Sequence, residues 1–455
     1  MSEIFKSYDV RGLVPDQISA DLVRSVGTAF VHVTGADGDS VVVGHDMRPS
    51  SPGLAEAFAE GASRAGADVV MIGLASTDQL YFASGKLGFP GAMFTASHNP
   101  AQYNGIKLCR SHAVPIALDT GLAEIRDLVA AEGEVRSDRG RITGRITGRI
   151  TGLDVLSDYA DHLRSLVPVE GRRLKIVVDA GNGMAGHTAP AVFGKLDVEL
   201  VPMYFELDGT FPNHEANPIE PANIRDLQVR VREEEADLGL AFDGDADRCF
   251  LVDEQGGLVS PSVLTALIAA RELAREPGAT VIHNLITSRA VPEIVRELGG
   301  TPVRTRVGHS FIKATMAETD AIFGGEHSGH FYFRDFWRAD SGMLAALHAL
   351  AALAGSEKPM SSLLAKYSRY AASGEINSEV GDQDAALGRV ERQYAETAGA
   401  GVDHLDGLSV THEDWWFNVR PSNTEPLLRL NAEGKDEAAM AQLRDNVLAT
   451  IRRAP

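Results

Sequence analysis

Phe242-Asp243-Gly244-Asp245-Ala246-Asp247-Arg248-Cys249 puts an acid at every second position between two apolar runs, Leu238 to Phe242 and Cys249 to Val252. Both runs read as strands, so the acids occupy the loop between them. Small residues at 244 and 246 let the backbone curl and aim three carboxylates at one point, a crowding that only a cation relieves. Oxygen ligands select a hard divalent ion, and three carboxylates leave positions of Mg²⁺ open to water or a phosphate oxygen. An EF-hand loop also begins with acids at positions one, three and five, but Arg248 stands at the sixth, where its sharp turn requires Gly. A solvated acidic turn would leave the closing arginine unexplained.

The chain of 455 residues is several times the usual domain length, which predicts three or four domains with sizeable cores. A net charge of -20 argues against nucleic acid or an anionic membrane as partner, so a phosphate-bearing substrate needs a locally basic site. Two cysteines, Cys109 and Cys249, exclude a disulfide framework and point to a reducing, cytoplasmic setting. Met1 to Lys6 has no apolar signal core, and the longest apolar helical pattern, Met343 to Ala354, is too short to span a bilayer.

From the start to about residue 150, strand and helix patterns alternate: Val41 to Val43, a helix from Ser51 with Pro52 in its first turn, then Val69 to Ile72. A further strand, Gly91 to Phe94, runs into Thr95-Ala96-Ser97-His98-Asn99-Pro100. Pro100 restricts Asn99 to extended or turn conformations, so Ser97 and His98 should stand at the mouth of the strand, where open α/β sheets carry their sites. On its own a serine there reads as a turn or cap.

Arg-Ile-Thr-Gly then occurs three times in tandem, at 141–144, 145–148 and 149–152. A four-residue period suits neither a helix nor a simple strand, and the stretch reads as a solvated basic linker. Beyond it, Asp179-Ala180-Gly181-Asn182-Gly183-Met184-Ala185-Gly186 after a strand satisfies G-x-G-x-x-G, with Glu206 at the distance of a ribose-binding acid. That supports a rival reading as an NAD-dependent oxidoreductase, although hydride transfer has no use for the acidic loop. Farther on, Glu326 and Ser328 sit two apart on a glycine-rich turn and can hold neighbouring hydroxyls. Arg420, Ser422, Asn423 and Thr424 supply a planar fork and several small donors on a turn, which suits a phosphate dianion. His309 and His330 are candidates for proton transfer or phosphate contact, with a structural histidine as the plainer alternative.

Four of these tracts, in this order, resemble the motifs of the α-D-phosphohexomutases. Thr95 to Pro100 is similar to their phosphoserine loop, Asp243 to Arg248 to their metal loop, Gly325-Glu326-His327-Ser328-Gly329-His330 to their sugar-binding loop, and Arg420 to Glu425 to their phosphate-binding loop. Tyr8-Asp9-Val10-Arg11-Gly12 and Asn104-Gly105-Ile106-Lys107 resemble the amino-terminal arginine segment and lysine strand, which would turn Arg11 and Lys107 toward the serine. Many family loops carry Met where this chain has His327. The details look most like the phosphomannomutase/phosphoglucomutase branch.

The resemblance implies four domains around a central cleft, three mixed-sheet α/β/α and a smaller α+β one, at 1–152, 153–254, 255–366 and 367–455. It implies a phosphorylated Ser97 held with Mg²⁺ by Asp243, Asp245 and Asp247. Hexose 1-phosphate and 6-phosphate, of mannose and also glucose, would interconvert through a hexose 1,6-bisphosphate that turns over in the site. Arg248 would position the serine beside His98, with Lys107 and His330 as acid or base. His309, Glu326, Ser328, Arg420, Ser422, Asn423 and Thr424 would hold the sugar phosphate. The expected partner is a small-molecule sugar phosphate, and the expected state a monomer or weak homodimer. A phosphatase using the same phosphoserine is the nearer rival.

Overall fold

The computed structural model describes residues 3–132, 148–422 and 427–453. It divides into two compact units, one formed by 1–260 with 328–363, the other by 261–327 with 364–455.

In the first unit, strands β1 (Val10–Leu13), β2 (Ser40–His45), β3 (Asp68–Leu74), β4 (Gly91–Phe94), β5 (Tyr103–Arg110), β6 (Val114–Pro115) and β7 (Ile150–Gly152) form one mixed sheet. Its order is β1-β5-β4-β2-β3-β7, with β6 against β5; β1, β4, β2, β3 and β7 run in one direction, and β5, between β1 and β4, opposes them. Helices α1 (Ala20–Thr34), α2 (Ser51–Arg64) and α3 (Thr77–Leu87) supply the crossovers. Phe30 of α1, Phe58 of α2 and Phe94 of β4 meet at centroid distances of 5.4 and 5.6 Å, anchoring the end of β4 just before Ser97. Strands β8 (Leu174–Asp179), β9 (Val198–Met203), β10 (Leu238–Phe242), β11 (Cys249–Asp253) and β12 (Leu258–Val259) make a second sheet in the order β12-β11-β10-β8-β9. Hairpin β10-β11, antiparallel from Leu238↔Asp253 to Phe242↔Cys249, holds the acidic loop at its tip, as the flanking apolar runs require.

The repeat departs from the linker expectation. Two copies fall largely outside the described residues, but the third forms β7, with Ile150, Thr151 and Gly152 opposite Val69, Val70 and Met71. The Arg149 carbonyl and the Leu153 amide close the ladder on Val69 and Met71. A period of four is twice the strand period, so it keeps alternate residues on one face, and the open edge of β3 supplies the pairing that sequence alone does not announce.

In the second unit β13 (Thr280–Asn284), β14 (Thr301–Thr305) and β15 (Phe323–Gly325) run parallel with β13 in the middle. The chain returns to the first unit as the antiparallel pair β16 (Phe331–Phe333) and β17 (Ala339–Asp340) and an apolar helix, Gly342–Ala354. The second unit is completed by an antiparallel sheet of β18 (Ala371–Glu379), β19 (Gly401–Asp403), β20 (Leu408–Thr411), β21 (Trp415–Pro421) and β22 (Leu427–Gly434), in the order β18-β22-β21-β20-β19, packed on helices Gln383–Tyr394 and Glu437–Ile451. The mixed α/β architecture with a smaller α+β end matches the expectation from sequence. Among the described residues no helix is long and apolar enough to cross a membrane.

Candidate active site

Ser97 leaves β4 with φ 51, in the left-handed region that non-glycine residues seldom enter. Its amide donates to Thr95 Oγ1 at 2.9 Å, and its hydroxyl donates to Asp243 Oδ2 at 2.7 Å, joining two loops 146 residues apart. Arg248, 4 % exposed, donates from Nε to the same Asp243 oxygen at 2.8 Å and from Nη2 to Ser97 Oγ at 3.3 Å. His98 Nδ1 lies 3.2 Å from Ser97 Oγ and accepts from Arg248 Nη2. The Arg248 charge, with burial, holds the imidazole well below its usual range.

The three aspartates are buried, at 0, 0 and 1 % exposure, and each offers an oxygen within 4.8 Å of the others'. Ala246, with φ 60, makes the bend expected of the small residues. Lys107 Nζ donates to Asp245 Oδ2 at 2.7 Å and Asp247 Oδ2 at 2.5 Å, so it lies among the aspartates and not on the serine hydroxyl. Burial opposes the Lys107 charge, but Asp245 and Asp247 outweigh it and raise the ammonium well above its usual range. Asp243 is pushed up to about 7 by burial against the pull of Arg248, with the charges of Asp247 and Asp245 adding to the push. Asp245 moves the other way: burial resists its charge, yet Lys107 and the Thr77 hydroxyl hold it well below the carboxylate range. Asp245 Oδ1 and Asp247 Oδ1 are buried without a hydrogen-bond partner. Buried carboxylate oxygens left over after a lysine and an arginine are paired fit a divalent cation.

Several other candidates join this cluster in the first unit. Arg11 donates from Nη1 to Asn99 Oδ1 at 2.7 Å and also pairs with Asp9, so it grips the serine loop two residues beyond Ser97. His330 forms a β-bridge with Arg248. Its Nε2 lies 3.6 Å from Asp247 Oδ1, and its Nδ1 lies 3.0 Å from Ser328 Oγ. In the second unit, Glu326 is 2 % exposed and accepts from Asn284 Nδ2 and the Gly308 amide, both at 3.2 Å. Arg420 belongs to β21 and not to the turn expected; Nη2 donates to Glu375 Oε2 at 2.6 Å, while Nη1 is buried without a partner and free to take an anion. Ser422 donates its amide to the Leu427 carbonyl. Asn423, Thr424 and the His309 side chain lie outside the described residues.

Sequence reasoning missed Thr77, whose hydroxyl donates to Asp245 Oδ2 at 2.6 Å and whose amide donates to the Asp245 carbonyl at 3.0 Å. Ser76, Thr77 and Asp78 carry a helix-start signal, since the Ser76 hydroxyl caps α3, and that signal hides the second task. It also missed Asp340, which shares a cluster with Asp247 and His330, and Arg48, behind the serine loop. The G-x-G-x-x-G tract is a structural turn: the Met184 amide, which a dinucleotide phosphate would want, donates to the Gly244 carbonyl at 2.9 Å.

Models of the phosphoglucomutase/phosphomannomutase family match this chain domain by domain: α/β/α domain I at residues 2–136, domain II at 157–257, domain III at 261–370 and the C-terminal domain at 375–450. The chain is 41 % identical to the "Phosphohexose mutases" protein of Xanthomonas campestris pv. campestris over 451 residues, covering 99 % of each. It is 40 % identical to an Escherichia coli phosphomannomutase over 458 residues, covering 98 % of this chain and 99 % of the other. A crystal structure of a phosphoglucomutase/phosphomannomutase family protein from Burkholderia thailandensis superposes with a TM-score of 0.88 at 34 % identity, over 100 % of this chain and 98 % of that one.

Proposed function

The chain belongs to the phosphoglucomutase/phosphomannomutase family and is a phosphohexomutase, and from that premise we propose that it interconverts the 1- and 6-phosphates of mannose and glucose through a phosphoryl group carried on Ser97. The observation that carries this reading is the Ser97 hydroxyl bonded at 2.7 Å to a carboxylate of the acidic trio with the Arg248 guanidinium beside it. A phosphoryl group in flight is stabilised chiefly by fixed positive charge, and this pocket supplies it within reach of a nucleophile. The relatives are mutases, which favours neither the phosphatase nor the oxidoreductase alternative.

In the forward half-reaction, the free hydroxyl of a hexose 1-phosphate attacks the phosphorus on Ser97. The new P–O bond forms as the bond to Ser97 Oγ breaks, the hydroxyl proton passes to His330, and the departing serine oxygen keeps the electron pair under Arg248 Nη2. Lys107, committed to Asp245 and Asp247, serves as a fixed positive charge, which leaves His330 as the proton acceptor, while Arg11 and His98 keep the loop and the arginine in register. Asp243, Asp245 and Asp247 would hold Mg²⁺, whose Lewis acidity would polarise the phosphoryl oxygens. Glu326 and Ser328 would take sugar hydroxyls. Arg420, Ser422, Asn423, Thr424 and His309 would hold the phosphate that is not reacting, so that the bisphosphate can turn and return a phosphoryl to Ser97.

Ser97→Ala should abolish turnover of mannose 1-phosphate and glucose 1-phosphate in a coupled assay. It should also prevent phosphoryl uptake from glucose 1,6-bisphosphate, read by intact mass and peptide mapping. Parental turnover in the folded variant would end the carrier role.

A further inference from the structure

We propose that Arg48 is a positioning residue that fixes the backbone of the nucleophile loop and thereby aims the Ser97 hydroxyl; this rests on the carrier role of Ser97 set out above. Arg48 lies between β2 and α2 and is 0 % exposed, among the largest fully buried side chains in the protein. Nη2 donates to the carbonyls of Ser97 at 2.9 Å and Asn99 at 2.7 Å, and Nη1 to those of Pro100 at 2.9 Å and Tyr103 at 3.0 Å. The remaining donor, Nε, reaches Asp46 Oδ2 at 3.2 Å. A guanidinium has five N–H groups, and here each has a partner.

That pattern is unusual in kind. The four carbonyls converge on one point; that of Pro100 also accepts from the Tyr103 amide at 3.0 Å, and Arg48 serves all four from a single centre. Only the planar fork of arginine offers four N–H groups to four carbonyls at once; a lysine has three donors on a single atom. The charge is balanced in place by Asp46, also 0 % exposed, which accepts from the Arg48 amide at 3.0 Å and the Ser51 hydroxyl at 2.6 Å. The Phe211 ring covers the guanidinium, its centroid 5.2 Å from Cζ.

The geometry of Ser97 explains the need. A serine at φ 51 persists only where its surroundings over-determine it. Thr95 Oγ1 holds its amide and Arg48 its carbonyl, so both peptide groups flanking the α-carbon are clamped and the side chain points at Asp243.

The test is Arg48→Lys, which keeps the charge beside Asp46 but cannot serve four carbonyls. With the parent as control, phosphoryl uptake from glucose 1,6-bisphosphate is followed by intact mass, and kcat and KM for glucose 1-phosphate are measured per folded molecule. A loss of about 100-fold in kcat is expected, the scale of a 1 Å misplacement, with KM near the parent's and Ser97 phosphorylation slowed in proportion. A merely structural arginine would lower the melting temperature and leave kcat per folded molecule unchanged, and that result overturns the proposal. Should Arg48→Lys not fold, Asp46→Asn turns an amide donor toward Arg48 Nε and loosens the guanidinium at its side-chain anchor. A kcat reduced with KM unchanged then supports the clasp, and a parental kcat overturns it. A parent that takes up no phosphoryl from the bisphosphate overturns the carrier reading, and the clasp falls with it.

Discussion

Gly244→Ala should push the nucleophile away from the acidic trio by a calculable distance. A Cβ at residue 244 would stand 2.4 Å from the Ser97 carbonyl oxygen and 3.3 Å from its carbon, whereas real Cβ contacts begin at 3.0 Å and become ordinary at 3.4 Å. The serine loop must therefore recede by about 0.6 to 1.0 Å, or the acidic loop must. Gly244 does not have the positive φ that would strain an alanine, so packing alone acts. The receding oxygen is the one Arg48 holds at 2.9 Å, and the Ser97–Asp243 bond of 2.7 Å would open beyond hydrogen-bond length. Overpacking of this size costs about 1–3 kcal/mol of stability. Misplacing the nucleophile costs about 10- to 100-fold in kcat. KM for hexose 1-phosphate should change little, because Glu326 and Arg420 are untouched. A coupled assay on either sugar phosphate with a melting curve separates the two effects; a folded Gly244→Ala enzyme with the parent's kcat would refute the claim that this contact sets the reacting distance.

Thr77→Val removes the hydroxyl from Asp245 Oδ2 and should weaken Mg²⁺ binding about 10-fold, with Thr77→Ser near the parent; equal Mn²⁺ affinity by electron paramagnetic resonance in all three would exclude this role. His283, 6 % exposed, is lowered to about 4 by burial, so the unfolded chain takes up its proton first as pH falls below the ordinary 6.5. Its stabilising contribution is complete above that value and is lost on the way down to about 4, amounting to about 2 kcal/mol between pH 7 and 5. Urea unfolding should show that loss in the parent and less of it in His283→Gln; identical pH dependence would contradict it. Excising residues 141–148 brings Gly140 to the place of Gly148, where a Cβ would meet the Ala67 carbonyl oxygen at 1.7 Å, and turnover should stay near the parent's; a large fall in the coupled assay would show that linker length matters.

The acidic loop was legible because its chemistry is local: three acids and an arginine within six residues, between strands whose apolar runs announce themselves. Ser97 was legible as a residue at a strand mouth, and its role came from resemblance. Arg48 and Thr77 were not, since their partners lie as far as 55 and 168 residues away and a buried polar residue leaves no periodic mark. Lys107 faces the serine by resemblance alone; that its long chain ends on Asp245 and Asp247 instead depends on tertiary packing. Pro421 and Ser422 are turn residues and suggest a turn at Arg420, but antiparallel pairing with Arg429 and Leu428 carries β21 as far as Pro421.

The strand built from the last Arg-Ile-Thr-Gly copy makes the sheet edge tolerant of changes upstream. Because the three units are identical, whichever one stands last delivers the same Ile-Thr-Gly to the same sheet edge, so the edge strand is indifferent to how many copies precede it.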